Sequence, residues 1–135
     1  MKKKRTLSKV KRDVWVVFSI FIRTRDCLKT TGCSSFGLCI TCGKRYHFKL
    51  LQAGHFIAGR NNAVLFSEKG VHAQCYNCNM NLKGNTLVYR RKINEMYGEG
   101  YDEVLEKESW GTLKYTIPQL EEMKTYYKEK IKELE

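Results

Sequence analysis

Apolar residues return at helical intervals from the first stretch of the chain. Val10, Val14, Val17, Phe18 and Phe21 fall on one stripe and predict a helix over about residues 7–28, with Arg12, Arg23 and Arg25 off the stripe. A stripe of that composition suits core packing rather than a binding face. Residues 30–37 are rich in Thr, Ser and Gly and read as a loop. Residues 38–56 read as short strands with a turn near Gly43-Lys44, and a second extended piece is predicted over 63–66. A helix is predicted over 75–97, carrying Leu82, Val88, Ile93 and Met96 and weakened locally by Gly84.

Gly98-Glu99-Gly100 interrupts the chain before a short helix over 101–107. The last helix opens at Thr116, whose hydroxyl caps it while Gln119 completes a capping box; Pro118 is tolerated in a first turn. Leu120, Met123, Tyr127, Ile131 and Leu134 then form one stripe at coiled-coil spacing. Two heptads are short for a dimer seam, so the stripe is expected to pack on the body of the domain. Strands and helices segregate along the chain rather than alternate, which gives an α+β class.

Length and charge narrow the function. At 135 residues the chain makes one domain, and 42% hydrophobic content supports a small core that a bound metal would help hold. No apolar run is long enough to span a membrane. The apolar stretch 14–22 is followed by Arg23, Arg25 and Asp26 without a small-residue cleavage site, so secretion is not expected. A reducing, cytoplasmic setting follows, where cysteines pair with metals more often than with each other. The net charge of +11 is uneven: residues 1–94 carry 19 Lys and Arg against Asp13, Asp26 and Glu68, whereas residues 95–135 carry 6 Lys against 11 Asp and Glu. The first segment is thus +16 and the tail −5. A body of that charge attracts a polyanion, with nucleic acid favoured over anionic lipid because no basic amphipathic helix is present. Residues 1–12 read as a basic arm.

The strongest chemical signal is a pair of C-x-x-C motifs, Cys39-Ile40-Thr41-Cys42 and Cys75-Tyr76-Asn77-Cys78, separated by 32 residues. Two intervening residues let both thiolates of a pair turn toward one point, and two pairs complete the tetrahedral sulfur set of a closed Zn²⁺ site. Cys27 and Cys33 fit neither motif and read as free thiols. Between the pairs stands Gln52-Ala53-Gly54-His55-Phe56; after them come Asn79 and Lys83-Gly84-Asn85. A histidine held between two metal knuckles is well placed for more than packing.

These motifs carry a resemblance. A strand histidine, a crossing segment and a helix opening on C-x-x-C-N is the layout of zinc-stapled HNH, or ββα-metal, endonucleases. Ala53-Gly54-His55-Phe56, His72-Ala73-Gln74-Cys75, Cys78-Asn79 and Gly84-Asn85 resemble more specifically the phage NinG/Rap recombination nucleases, over roughly Phe18 to the C-terminus. The resemblance implies metal-dependent hydrolysis of phosphodiester bonds in branched DNA such as Holliday junctions or D-loops. It implies His55 as general base and Asn79 as a ligand of a catalytic Mg²⁺ or Mn²⁺. Asn85 is expected to face the site, or else to turn the chain after Gly84. Arg60 and Lys83 are expected to contact DNA phosphates. His72 is read either as a ligand or as a hydrogen-bonding scaffold, and His47 as a surface residue.

Two positions depart from the HNH pattern. Gly54 stands where many such nucleases carry a metal-binding Asp, leaving Glu68 as the nearby acidic candidate, and Gly70 stands where many carry an Asn that orients the histidine. The expectation is therefore one α+β nuclease domain over 13–135, with a zinc-bound ββα core at about 38–98 and a helical extension at about 99–135. It acts on DNA in the host cytoplasm if the chain is of phage origin, and a homodimer suits a substrate with two strands to cut. The alternative is a non-catalytic zinc-dependent DNA-binding module of a recombination or replication assembly, which would tolerate loss of His55 and Asn79.

Overall fold

In the computed structural model, residues 5–59 and 61–135 are described. Helix α1 spans Leu7–Thr31, starting where Thr6 accepts from the Lys9 amide and ending where Gly32 takes a left-handed conformation and donates to Leu28 O. Residues 7–12, expected to belong to a basic arm, form its first turns. The predicted stripe is its buried face: Val10, Val14 and Phe18 are fully buried and Val17 and Phe21 nearly so, with Ile22 joining them.

Two antiparallel hairpins follow. Strands β1 (Phe36–Leu38) and β2 (Arg45–His47) pair in the register Phe36↔His47, Gly37↔Tyr46 and Leu38↔Arg45. Strands β3 (Leu51–His55) and β4 (Val71–Cys75) pair in the register Leu51↔Cys75, Ala53↔Ala73 and His55↔Val71. His47 helps shape the link between the hairpins, its ring accepting from the Lys49 amide at the start of a short 3-10 turn.

The segment expected to be extended over 63–66 is instead a short helix, α2 (Asn62–Leu65). Asn61 caps it through the Ala63 amide, and the turn lets Val64 and Leu65 both reach the core. The single helix expected over 75–97 is also corrected. A π-helical turn covers Asn77–Asn81, the chain breaks, and α3 runs Thr86–Tyr97. The break is a left-handed run, Lys83, Gly84 and Asn85 having φ of 51°, 92° and 48°. Glycine and asparagine adopt that geometry readily and lysine does not.

Helices α4 (Tyr101–Ser109) and α5 (Ile117–Leu134) close the chain, α5 opening on the expected Thr116–Gln119 capping box. The α5 stripe packs on α1, with the Tyr127 ring edge-on to Phe18 at 5.0 Å. Leu65, Phe66, Ala53 and Val71 complete this core from the hairpin side. Polar bonds fix α1 against β4: Asp26 accepts from the Ala73 amide at 2.7 Å, and Arg25 donates to Val71 O at 2.9 Å. Among the described residues no helix is long and apolar enough to cross a membrane.

Candidate active site and metal centre

The two C-x-x-C motifs meet. Sγ atoms of Cys39, Cys42, Cys75 and Cys78 all lie within 4.8 Å of one another, those of Cys42 and Cys75 at 3.9 Å. A tetrahedron of sulfurs ~2.3 Å from a zinc ion has edges of about 3.8 Å, so the four thiols are positioned to hold such an ion. The first knuckle turns at Gly43, with φ 74° and its amide donating to Cys39 O. The second is the π-helical turn, where the Cys78 amide points at Cys75 Sγ. Burial opposes ionisation of Cys39, but the Cys42 amide, the Thr41 hydroxyl and other backbone donors outweigh it and lower its pKa to about 6. Burial and the neighbouring sulfurs push Cys42 up to about 12. Cys27 is buried against Leu51 and Ala73 and Cys33 is exposed, both outside the cluster.

Beside this centre a cleft of about 580 Å³ opens along β3, lined by Trp15, Ser19 and Arg23 of α1, by Gln52 and His55 of β3, and by Asn79 and Met80. His55 and Asn79, 24 positions apart, thus share one cleft. Neighbouring strand residues point to opposite faces, so His55 reaches the cleft from the α1 side while Gln52 reaches it from the knuckle side. The His55 ring stacks on Trp15 at 4.9 Å and 15°, and its Nε2 lies 3.0 Å from Leu65 O. A carbonyl only accepts, so the neutral ring carries its proton on Nε2 and Nδ1 is the basic nitrogen. Leu65 and Trp15 orient the ring where Gly70 offers no side chain to do so.

Asn79 donates through Nδ2 to Gln52 Oε1 at 2.7 Å. Arg23 lies over the Phe48 ring at 4.4 Å, which holds its guanidinium beside the cleft. Deeper in the hairpin, Gln74 is fully buried and its Oε1 has no hydrogen-bond partner among the described residues. An unpaired buried amide oxygen costs about 1–3 kcal/mol.

Other expected site residues lie elsewhere. The Asn85 amide points at Cys78 Sγ, at 3.8 Å, and the residue is absent from the cleft lining because its left-handed backbone turns it to the knuckle. Lys83 is exposed on the left-handed run, also off the cleft. Glu68 accepts from the Tyr127 hydroxyl at 3.3 Å and does not line the cleft. Arg60 lies outside the described residues. His72 is scaffold, fully buried between Tyr97 and Tyr89. Trp15, Ser19 and Arg23 went unassigned in the sequence, although their spacing of four puts them on one row of α1 beside the apolar stripe.

The model of the bacteriophage lambda NinG protein family matches residues 1–135. The chain belongs to the NinG family. Among its relatives, the NinG protein of Escherichia phage 933W is 30% identical over 98 residues, covering 71% of this chain and 47% of that protein. The NinG protein of Escherichia phage lambda matches at the same identity and coverage. The chain therefore spans about half the length of these curated NinG relatives. No solved structure matches. The four-cysteine centre and the cleft both fall inside the NinG match.

Proposed function

We propose that this NinG-family protein is a metal-dependent endonuclease with a zinc-stapled, HNH-like ββα-metal core that hydrolyses phosphodiester bonds in branched DNA. The observation that carries the reading is the shared cleft of His55 and Asn79 beside four clustered cysteines. The order of hairpin β3–β4, knuckle turn and α3 supports it, as does the +16 charge of residues 1–94. Zinc at the cysteines has a structural task, since four protein ligands leave no open position.

In this reading Asn79 would offer its amide oxygen to a second, hard cation such as Mg²⁺ or Mn²⁺ at the cleft, with water and phosphate oxygens filling its other positions. When bound there, such a cation supplies Lewis-acid polarisation of the phosphate and charge stabilisation at the leaving 3′-oxygen. The chain's own residues do the rest. His55 Nδ1 takes the proton of the attacking water as its oxygen bonds to phosphorus, and the Leu65 carbonyl and the Trp15 ring keep that nitrogen aimed. The P–O3′ bond breaks, leaving a 5′-phosphate and, after proton uptake from solvent, a 3′-hydroxyl. Arg23, which lines the cleft, is a cation placed for an adjacent phosphate.

Incubating the zinc-loaded chain with Mn²⁺ and a synthetic four-way junction tests the reading. Wild type is expected to nick, and His55→Ala to nick about 10²–10⁴-fold more slowly with junction affinity retained. Equal absence of nicking in both, with binding intact, leaves the zinc-dependent DNA-binding module as the function.

A further inference from the structure

A second hollow of about 580 Å³, lined by Leu7, Ser8, Lys11, Arg12, Trp15 and Leu65, opens on the N-terminal half of α1. Trp15 also lines the cleft of His55, so the two hollows share a wall. Ser8, Arg12, Trp15, Ser19 and Arg23 succeed one another at intervals of three or four, which sets them along one edge of α1 beside its apolar stripe. At 1.5 Å per residue, the eleven positions from Arg12 to Arg23 span about 16 Å. A duplex DNA strand carries one phosphate per ~3.4 Å of axis, so the edge matches about five nucleotide steps.

The charge along this edge is uncompensated. The two linings hold Lys11, Arg12 and Arg23 and no carboxylate. Other α1 and neighbouring cations are spent: Arg5 pairs with Asp13 and Glu121, and Arg25 with Asp26 and the Glu68 and Val71 carbonyls. Arg12 is exposed and enters no ion pair among the described residues. Lys11 has a neutral partner, Asn62 Oδ1 at 3.0 Å. Arg23 donates through Nε to Ser19 O, and the Phe48 ring holds its guanidinium without cancelling its charge. A line of cations with no counter-charge attracts a polyanion.

We propose that this edge of α1 is a phosphate track along which one strand of a duplex DNA arm lies, with Lys11 and Arg12 toward one end, Arg23 at the other, and Trp15 and His55 between them. The assignment deepens the endonuclease reading and rests on it for what happens to the strand at His55, not for whether the strand binds. Contacts of this kind fix the position of the duplex and carry no base preference.

Anisotropy titration of a labelled four-way junction with the zinc-loaded full chain, across a series of KCl concentrations and without added Mg²⁺ or Mn²⁺, measures binding without cleavage. Arg12→Gln and Arg23→Gln are each expected to lower the affinity and to reduce the slope of log affinity against log salt by about 0.9, and the two together by about 1.8. Arg23→Lys keeps the charge and is expected to keep the slope. Lys128→Gln, exposed on α5, is expected to leave it unmoved. An unmoved slope in either folded glutamine variant overturns the track, as does a wild type that does not bind the junction. A slope change in Lys128→Gln equal to that in Arg12→Gln overturns it too, since net charge alone would then suffice. Arg12→Gln, at an exposed position, decides by itself should Arg23→Gln lose zinc or helical signal. Nicking under Mn²⁺ separates the two ideas. Slopes that move without nicking keep the track and remove the nuclease, and nicking with unmoved slopes does the reverse.

Discussion

The two sides of the cleft are held together by different means. On one side, α1, α5 and the facing hairpin surface bury a continuous apolar cluster in which Phe18 meets the rings of Trp15, Phe21, Phe66 and Tyr127. On the other, the buried cluster at the knuckles consists of Cys39, Cys75 and Cys78 with Tyr46 against them. Tyr76, Met80, Leu82 and Leu87 of this side are exposed, so its sequence offers apolar residues that the fold does not bury. Hydrophobic burial can thus account for the position of His55, whereas Asn79 sits on the turn where the four thiols converge and is tied to β3 by its bond to Gln52. Each contributes one wall of the same cleft, and removing either support should fail in a different way.

Metal removal should give the largest effect. Structural zinc contributes on the order of 10 kcal/mol in small zinc-held domains. Chelation or Cys75→Ser is expected to abolish zinc binding and disorder the knuckles and the π-helical turn while α1 and α5 keep most of their helical signal. Metal analysis with far-UV circular dichroism and amide exchange checks this; protected knuckle amides in metal-free protein would contradict the contrast. Acid should act in the same direction, because the thiolates must be deprotonated to hold the ion. Next in size is Phe18→Ala. Truncating a fully buried phenylalanine among four rings should cost about 3–5 kcal/mol, read as a lower urea midpoint, with zinc stoichiometry of the folded fraction unchanged.

The same division explains how far the sequence could be read. The four-cysteine cluster is legible because residue type and spacing are written locally, and α1 and α5 because a core face repeats at helical period. The break at Lys83–Asn85 is marked in the sequence only by Gly84, since a lysine in left-handed conformation carries no local signature and a run with Leu82 and Val88 reads as helix. The place of Asn85 after the cysteines allows either the cleft or a turn after Gly84, and the left-handed run decides for the turn, with the side chain against Cys78. Residues 63–66 have extended propensity that an Asn61 cap and the burial of Val64 and Leu65 override. Trp15, Ser19 and Arg23 enter the cleft through a tertiary contact between α1 and β3, and a single sequence states no such contact. Gln74 was visible as a residue, but its orphaned oxygen exists only once the hairpin register and the broken helix are both known.

The smallest effect to sharpen the contrast lies at His72, which joins the two sides. Tyr89 donates its hydroxyl proton to Gly54 O at 2.7 Å, so it accepts from His72 Nδ1–H; His72 Nε2 then accepts from the Tyr97 hydroxyl at 2.7 Å. This directional chain requires a neutral imidazole and ends on the backbone of the cleft. Burial, reinforced by Arg25 and Lys29 and opposed by Asp26, lowers the His72 pKa to about 4. An unfolded histidine titrates near ~6.5. Between those values the unfolded chain takes up a proton that the folded chain does not, so stability is complete above the upper value and falls as pH drops toward the lower. The loss reaches at most about 3 kcal/mol by pH 4. Urea unfolding across that window should therefore show a steeper acid loss for wild type than for His72→Gln, which is less stable at neutral pH but lacks the titrating group. Zinc release by acid is common to both chains and cancels in the difference. Parallel pH slopes would mean that the buried imidazole is not held neutral, and with it the fixed direction of the chain from Tyr97 to Gly54 would be lost.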